Sequence, residues 1–176
     1  MLFINPHSYV DEENHPYFTV TRRIVSPGWC VTKMAVLKWL EITCCIIILI
    51  VAEPYIFTWS GYNYIAFTCF MCLILTIATM VVFFCQTHRG KLDFLPWKYI
   101  EISYDLLAMM LFVFALAVSL YDCINLSEGS QKHHSKKLQQ SSLSDLRARV
   151  YTITAFICAN SIFYFLSAIH AHSSYL

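Results

Sequence analysis

Four stretches of this chain stay apolar on every face for about 20 residues at a time, and polar connections separate them. They cover Met34–Ala52, Ile65–Cys85, Ile102–Tyr121 and Val150–Ile169. An α-helix rises ~1.5 Å per residue, so about 20 apolar residues cross a hydrocarbon core of ~30 Å. Helices apolar all round would need a far larger soluble protein to cover them. The pattern predicts an all-α membrane protein, a bundle of four transmembrane helices. The connections Glu53–Tyr64 and Gln86–Glu101 are short, and Asp122–Arg149 is longer. Short links make sequential spans antiparallel neighbours, so the expected architecture is a compact up-down bundle.

The expected organisation has a flexible cytoplasmic N-terminal tail over 1–32 and a transmembrane domain over 33–170. Its longer loop is 122–149, and a short C-terminal tail follows at 171–176. Met1–Gly28 is polar, carries Pro6, Pro16, Pro27 and an Asp11-Glu12-Glu13 cluster, and lacks the apolar core of a signal peptide. Trp39, Tyr55, Trp59, Tyr62, Tyr64, Trp97, Tyr99, Tyr104, Tyr121 and Tyr151 fall near run ends, where amphipathic rings favour the headgroup zone. Arg22, Arg23, Lys33 and Lys38 precede or open the first span, whereas the first loop has no Lys or Arg. That contrast predicts cytoplasmic termini, and Arg89, Lys91 and Lys98 in the second loop agree. The third loop, with Lys132, Lys136, Lys137, Arg147 and Arg149, runs against the rule.

Composition sharpens this picture little. The chain of 176 residues is 58% hydrophobic and 13% charged, with a mean hydropathy of +0.56, which points to the membrane class. A net charge of +1 gives no argument for a nucleic-acid partner. Most of the eight cysteines lie inside apolar runs, where thiols behave as small hydrophobes rather than bridges.

Charge inside the spans changes the picture more. Lys38 and Glu41 lie in the first turns of the first span, and Glu101 and Asp105 in the first turns of the third. Both spans enter from the same side, so the four charges share one depth, and Glu101 and Asp105 share one helix face. Intramembrane charges are costly unless paired or snorkelling, and mark a site by default. A Lys38–Asp105 pair between helices is one reading, and a proton or ion path the sharper one. A path needs polar residues through the full thickness. The third span beyond Asp105 reads LLAMMLFVFALAV, which favours pairing or snorkelling.

Other motifs carry less. Cys69-Phe70-Met71-Cys72 has redox spacing, but a catalytic dithiol needs an activated thiolate and a relay pair. Its surroundings are apolar, so packing is expected. No catalytic group, cofactor or metal site is expected. Ala115/Ser119 and Ala155/Ala159, with Asn160, have the small-residue spacing that lets helices approach, within the bundle or between copies. Tyr17-Phe18-Thr19-Val20 matches a sorting signal anchored by Tyr17 and Val20. Ser174 and Leu176 fit a terminal ligand for strand-adding domains. Cys30 and Cys85, at the cytoplasmic helix ends, are palmitoylation candidates. Asn125-Leu126-Ser127 is a glycosylation sequon placed too near the third span to be reached well.

Several of these residues carry a family resemblance. The first span opens Leu37-Lys38-Trp39-Leu40-Glu41 and exits at Ala52-Glu53, and the second loop ends Leu95-Pro96-Trp97 with Glu101 four residues on. In this the chain resembles the MARVEL-domain tetraspan proteins: the chemokine-like-factor, myelin-and-lymphocyte and plasmolipin types, and more distantly synaptophysin. The resemblance spans Lys33–Ile169, and the long basic third loop departs from close members. It implies a non-enzymatic multi-pass protein that organises membrane apposition, vesicle trafficking or fusion, at the plasma membrane or on vesicles. The partners implied are membrane lipids in cholesterol- and sphingolipid-rich regions, further copies or other membrane proteins, and trafficking adaptors. The rival readings are a channel or transporter auxiliary subunit and a membrane thiol oxidoreductase.

Overall fold

The computed structural model describes residues 32–53, 56, 59–85, 96–128 and 143–174. Four helices follow one another: α1 Lys33–Ala52, α2 Ser60–Phe84, α3 Trp97–Ser127 and α4 Leu143–Ser174. No strand occurs among the described residues. All four helices are long and apolar enough to cross a membrane. The fold is the all-α four-span bundle that the apolar runs predict.

Local chemistry sets the helix starts. Thr32 Oγ1 accepts the Ala35 N–H at 3.3 Å and caps α1. Pro96, which has no N–H to leave unpaired, precedes α3, and its carbonyl accepts the Tyr99 N–H at 2.9 Å. At the start of α2 the Trp59 ring folds over Gly61, where an added Cβ would lie 2.4 Å from the indole. The same ring meets Tyr62 edge-on, with centroids 5.7 Å apart.

The helices form a ring in which α3 packs most extensively on α4, then α4 on α1, α1 on α2, and α2 most lightly on α3. Apart from Cys123, the buried positions of α3 are Glu101, Asp105, Ala108, Phe112, Ala115, Ser119, Asp122 and Leu126. Their spacing alternates four and three, a 3.5-residue period. On α4 the same alternation runs Leu146, Val150, Ile153, Ile157, Asn160, Tyr164, Ser167, Ala171. That period is the signature of knobs-into-holes packing with a left-handed twist. Glu101, Asp105 and Asp122 lie on the α3 seam and Lys38 and Glu41 on the buried face of α1, while large apolar side chains face outwards: Ile50 is 67% exposed, Phe67 64% and Leu107 61%. An apolar exterior over a polar seam is stable only against lipid.

Two expectations need correction. The loop expected over 122–149 is shorter, because α3 continues to Ser127 and α4 begins at Leu143. Hydropathy falls at Asp122, but the backbone has no reason to stop there, since neither Pro nor Gly interrupts 122–127. The sequon is therefore helical, with Asn125 Nδ2 donating to the Tyr121 carbonyl at 2.9 Å and Ser127 Oγ to that of Ile124 at 2.7 Å. The aromatic belt is also smaller than expected. Trp39, Tyr99, Tyr121 and Tyr151 are exposed at span ends, but Tyr62 is buried and Tyr104 half-buried.

Candidate functional site: a charge cluster inside the bundle

One helical turn on α1 places Lys38 and Glu41 on the buried face, and one turn on α3 places Glu101 and Asp105 on the face opposite. The structure brings Lys38, Glu41 and Asp105 into contact. Lys38 Nζ donates to Glu41 Oε2 at 3.1 Å and to Asp105 Oδ1 at 2.5 Å. Ser167 of α4 donates to Glu41 Oε1 at 2.5 Å. The ammonium also lies 5.5 Å from the ring centroids of both Tyr104 and Tyr164, within cation–π range. Lys38 thus sits in a cage of two carboxylates and two aromatic faces, with no exposure at all. A lysine could snorkel to the headgroups from this depth. It turns inwards instead, because two carboxylates await it there.

Glu101 joins the cluster from one turn nearer the membrane edge and is only 3% exposed. Its Oε2 and the Asp105 Oδ2 have no hydrogen-bond partner among the described residues. The cluster therefore sets one ammonium against three carboxyl groups.

A second layer ties in α2. The Thr76 hydroxyl lies 2.6 Å from that of Tyr104 and 2.9 Å from that of Tyr164, and Tyr104 donates to the Cys72 carbonyl at 3.1 Å. Charges and hydroxyls together link all four helices at this end. Thr76, Tyr104, Tyr164 and Ser167 were not among the sequence candidates. A lone hydroxyl scarcely alters the hydropathy of an apolar run, and only the face it occupies reveals it.

Polar groups recur deeper in the bundle. Asn160 Nδ2 donates to Cys45 Sγ at 3.2 Å. Ser119 Oγ lies 2.6 Å and Cys123 Sγ 3.1 Å from Thr154 Oγ1, and Tyr62 donates to Asp122 Oδ2 at 2.6 Å near the far end. The apolar reading of the third span beyond Asp105 thus holds for its composition but not for its seam, which turns polar again at Ser119 and Asp122. Apart from Asn160, the seam positions between these two polar zones are apolar. Between them lie Ile48, Phe112, Ala115 and Ile157, all fully buried, with Phe112 stacked on Tyr164 at 5.5 Å.

The remaining candidates scatter. Cys69 and Cys72 are buried free thiols, packed near Cys44 and Cys45 of α1. Among the described residues no group of His, Cys, Asp and Glu could hold a metal ion. Ala115 and Ser119 face α4, but Ala155 is exposed and Ala159 half-buried, so the second small-residue pair does not lie on the seam. Cys85 caps α2, half-buried. Ser174 ends α4, so pairing as an extended strand would require its last turn to unwind. Tyr17, Val20, Cys30 and Leu176 lie outside the described residues.

The family model MARVEL, the membrane-associating domain, matches residues 30–170. Neither a curated protein nor a solved structure matches the chain.

Proposed function

The chain belongs to the MARVEL family of membrane-associating domains, and on that premise we propose that it is a non-enzymatic organiser of membranes, acting in apposition, vesicle trafficking or fusion. The observation that carries this reading is the inside-out distribution of polarity. Lys38, Glu41, Asp105, Asp122 and the hydroxyls on the seams make contacts between helices, and what faces outwards is an apolar, lipid-facing surface with short segments beyond it. Such a surface suits lipids, further copies and other membrane proteins, and the tail motif at Tyr17 and Val20 suits trafficking adaptors.

The chain acts at the plasma membrane or on vesicles, in cholesterol- and sphingolipid-rich regions. The rival transport reading needs a polar seam through the whole thickness, and the layer of Ile48, Phe112, Ala115 and Ile157 interrupts it. A thiol oxidoreductase needs a reachable dithiol, and Cys69 and Cys72 are 0% and 2% exposed.

Reconstituted into sealed vesicles, the purified chain should carry no proton or cation flux above that of empty vesicles. In cells lacking it, delivery of vesicle cargo to the surface should slow. A flux abolished by Asp105→Asn would assign the cluster to transport instead.

On this reading both termini lie in the cytoplasm, as the Lys and Arg around the first span favour. Epitope tags at either end should be stained only after permeabilisation, and staining of either tag on intact cells would reverse this assignment.

A further inference from the structure

The charge cluster that joins α1 to α3 is short of hydrogen-bond donors. An ammonium has three, and Lys38 directs them to Glu41 Oε1 at 3.3 Å, Glu41 Oε2 at 3.1 Å and Asp105 Oδ1 at 2.5 Å. The Ser167 hydroxyl goes to Glu41 as well. Two acceptors are left over. Glu101 Oε2 and Asp105 Oδ2 are buried and accept from nothing among the described residues. The residues that carry them are 3% and 0% exposed.

Among the described residues, the neighbouring helices bring no further cation to the interior here. At this end of the bundle the buried positions of α2 are Met80 and Phe83, and those of α4 are Ser167, Ala168 and Ala171. Lys98 precedes Glu101 by one turn of α3 but does not hydrogen-bond to its Oε2. With every carboxyl ionised, Lys38 would face three negative charges, and the two bare oxygens would be anionic as well as unpaired. Both conditions are costly where water is excluded. A metal ion does not relieve them, since no group of described residues is arranged to hold one.

Glu101 and Asp105 stand at i and i+4 on one face of α3, a spacing that sets Cβ atoms ~5–6 Å apart and makes their carboxyl groups neighbours. One proton resolves both shortages. On Glu101 Oε2 it turns that atom into a donor, with Asp105 Oδ2 as its acceptor. A hydrogen bond from a carboxylic acid to a carboxylate is charge-assisted, and such bonds are among the shorter and stronger in proteins. Glu41 and Asp105 already accept from Lys38, which leaves Glu101 as the group that takes the proton. We propose that the cluster binds a structural proton: Glu101 is a carboxylic acid that donates to Asp105 Oδ2 and so completes the link between α1 and α3. A proton also suits so closed a site, because it takes up no volume of its own.

The test uses the full chain in phosphatidylcholine vesicles at neutral pH, with the carboxyl carbons of its glutamate side chains isotopically labelled. Infrared spectroscopy separates the stretch of a neutral carboxylic acid from that of a carboxylate, and the label assigns it to glutamate. A neutral band is expected, and Glu101→Gln should remove it. The same variant should unfold in mixed detergent micelles as the unaltered chain does, because its carboxamide N–H donates to Asp105 Oδ2 in place of the acid. Glu101→Ala leaves that oxygen bare and should raise the unfolding equilibrium constant roughly tenfold. A spectrum of carboxylates alone, as two ionised groups bridged by water would give, overturns the proposal. A neutral band that survives Glu101→Gln puts the proton on another glutamate and overturns it too. So does equal stability of Glu101→Gln and Glu101→Ala, since the donor would then have no part in holding the bundle.

Discussion

Lys38→Ala should destabilise the bundle by roughly 3 kcal/mol or more, the scale seen when one partner is removed from a buried ion pair. The loss exceeds that of a single contact, because Glu41 and Asp105 are left buried with no cation and Lys38 also fills space between two tyrosine rings. Asp105→Ala should cost less, since Lys38 keeps Glu41. The double variant Lys38→Ala/Asp105→Ala should lose clearly less than the sum of the two single losses. Unfolding in mixed detergent micelles, followed by helical content, measures all three. Strict additivity would show that the two side chains do not interact in the bilayer, whatever their separation. Replacing Lys38, Glu41 and Asp105 together by apolar residues of similar volume should recover much of the stability, as it does when a whole buried ion pair or triad is replaced elsewhere.

Phe112→Ala should cost about 3–5 kcal/mol, the usual range for emptying a fully buried aromatic site, whereas Phe114→Ala should be nearly silent. The two residues have the same chemistry and are two positions apart on α3. Phe112 is fully buried and stacked on Tyr164, while Phe114 is 59% exposed. Facing lipid, Phe114 exchanges one apolar contact for another, so truncating it removes little. Facing the seam, Phe112 leaves a hole that lipid cannot enter. The same micelle unfolding measures both, and equal losses would mean that the seam has been placed on the wrong face of α3.

Much of the architecture was legible without coordinates, for a simple reason. Four apolar runs of bilayer length have few other solutions, and the shared depth of Lys38, Glu41, Glu101 and Asp105 follows from two spans entering on one side. What composition could not reveal is which face each residue takes. Asp122 looked like the start of a loop, although it continues the seam begun by Glu101 and hydrogen-bonds with Tyr62. Tyr62 and Tyr104 looked like belt residues because they lie near run ends, yet their hydroxyls point to partners on other helices. A test of the third run for a 3.5-residue period, starting from Glu101, would have reached Asp105, Ser119 and Asp122 together. Ser167 is harder to foresee. Its role depends on α4 crossing α1 beside Glu41, which no local pattern in the run around it encodes.

The hydroxyls on the outer surface have a further consequence for how the protein moves among its neighbours. Thr43 and Thr79 donate to their own helix, to the carbonyls of Trp39 and Leu75, each at 2.8 Å. Beside them the outer surface is made of side chains such as Ile46, Phe67, Leu107 and Phe114. Lateral encounters in mid-bilayer then rest on shape and dispersion, with few directional bonds to lock a partner in place. A protein built this way behaves as a solute in a two-dimensional solvent. Neighbours of such a solute are expected to exchange readily, with the order and thickness of the surrounding lipid setting where it gathers.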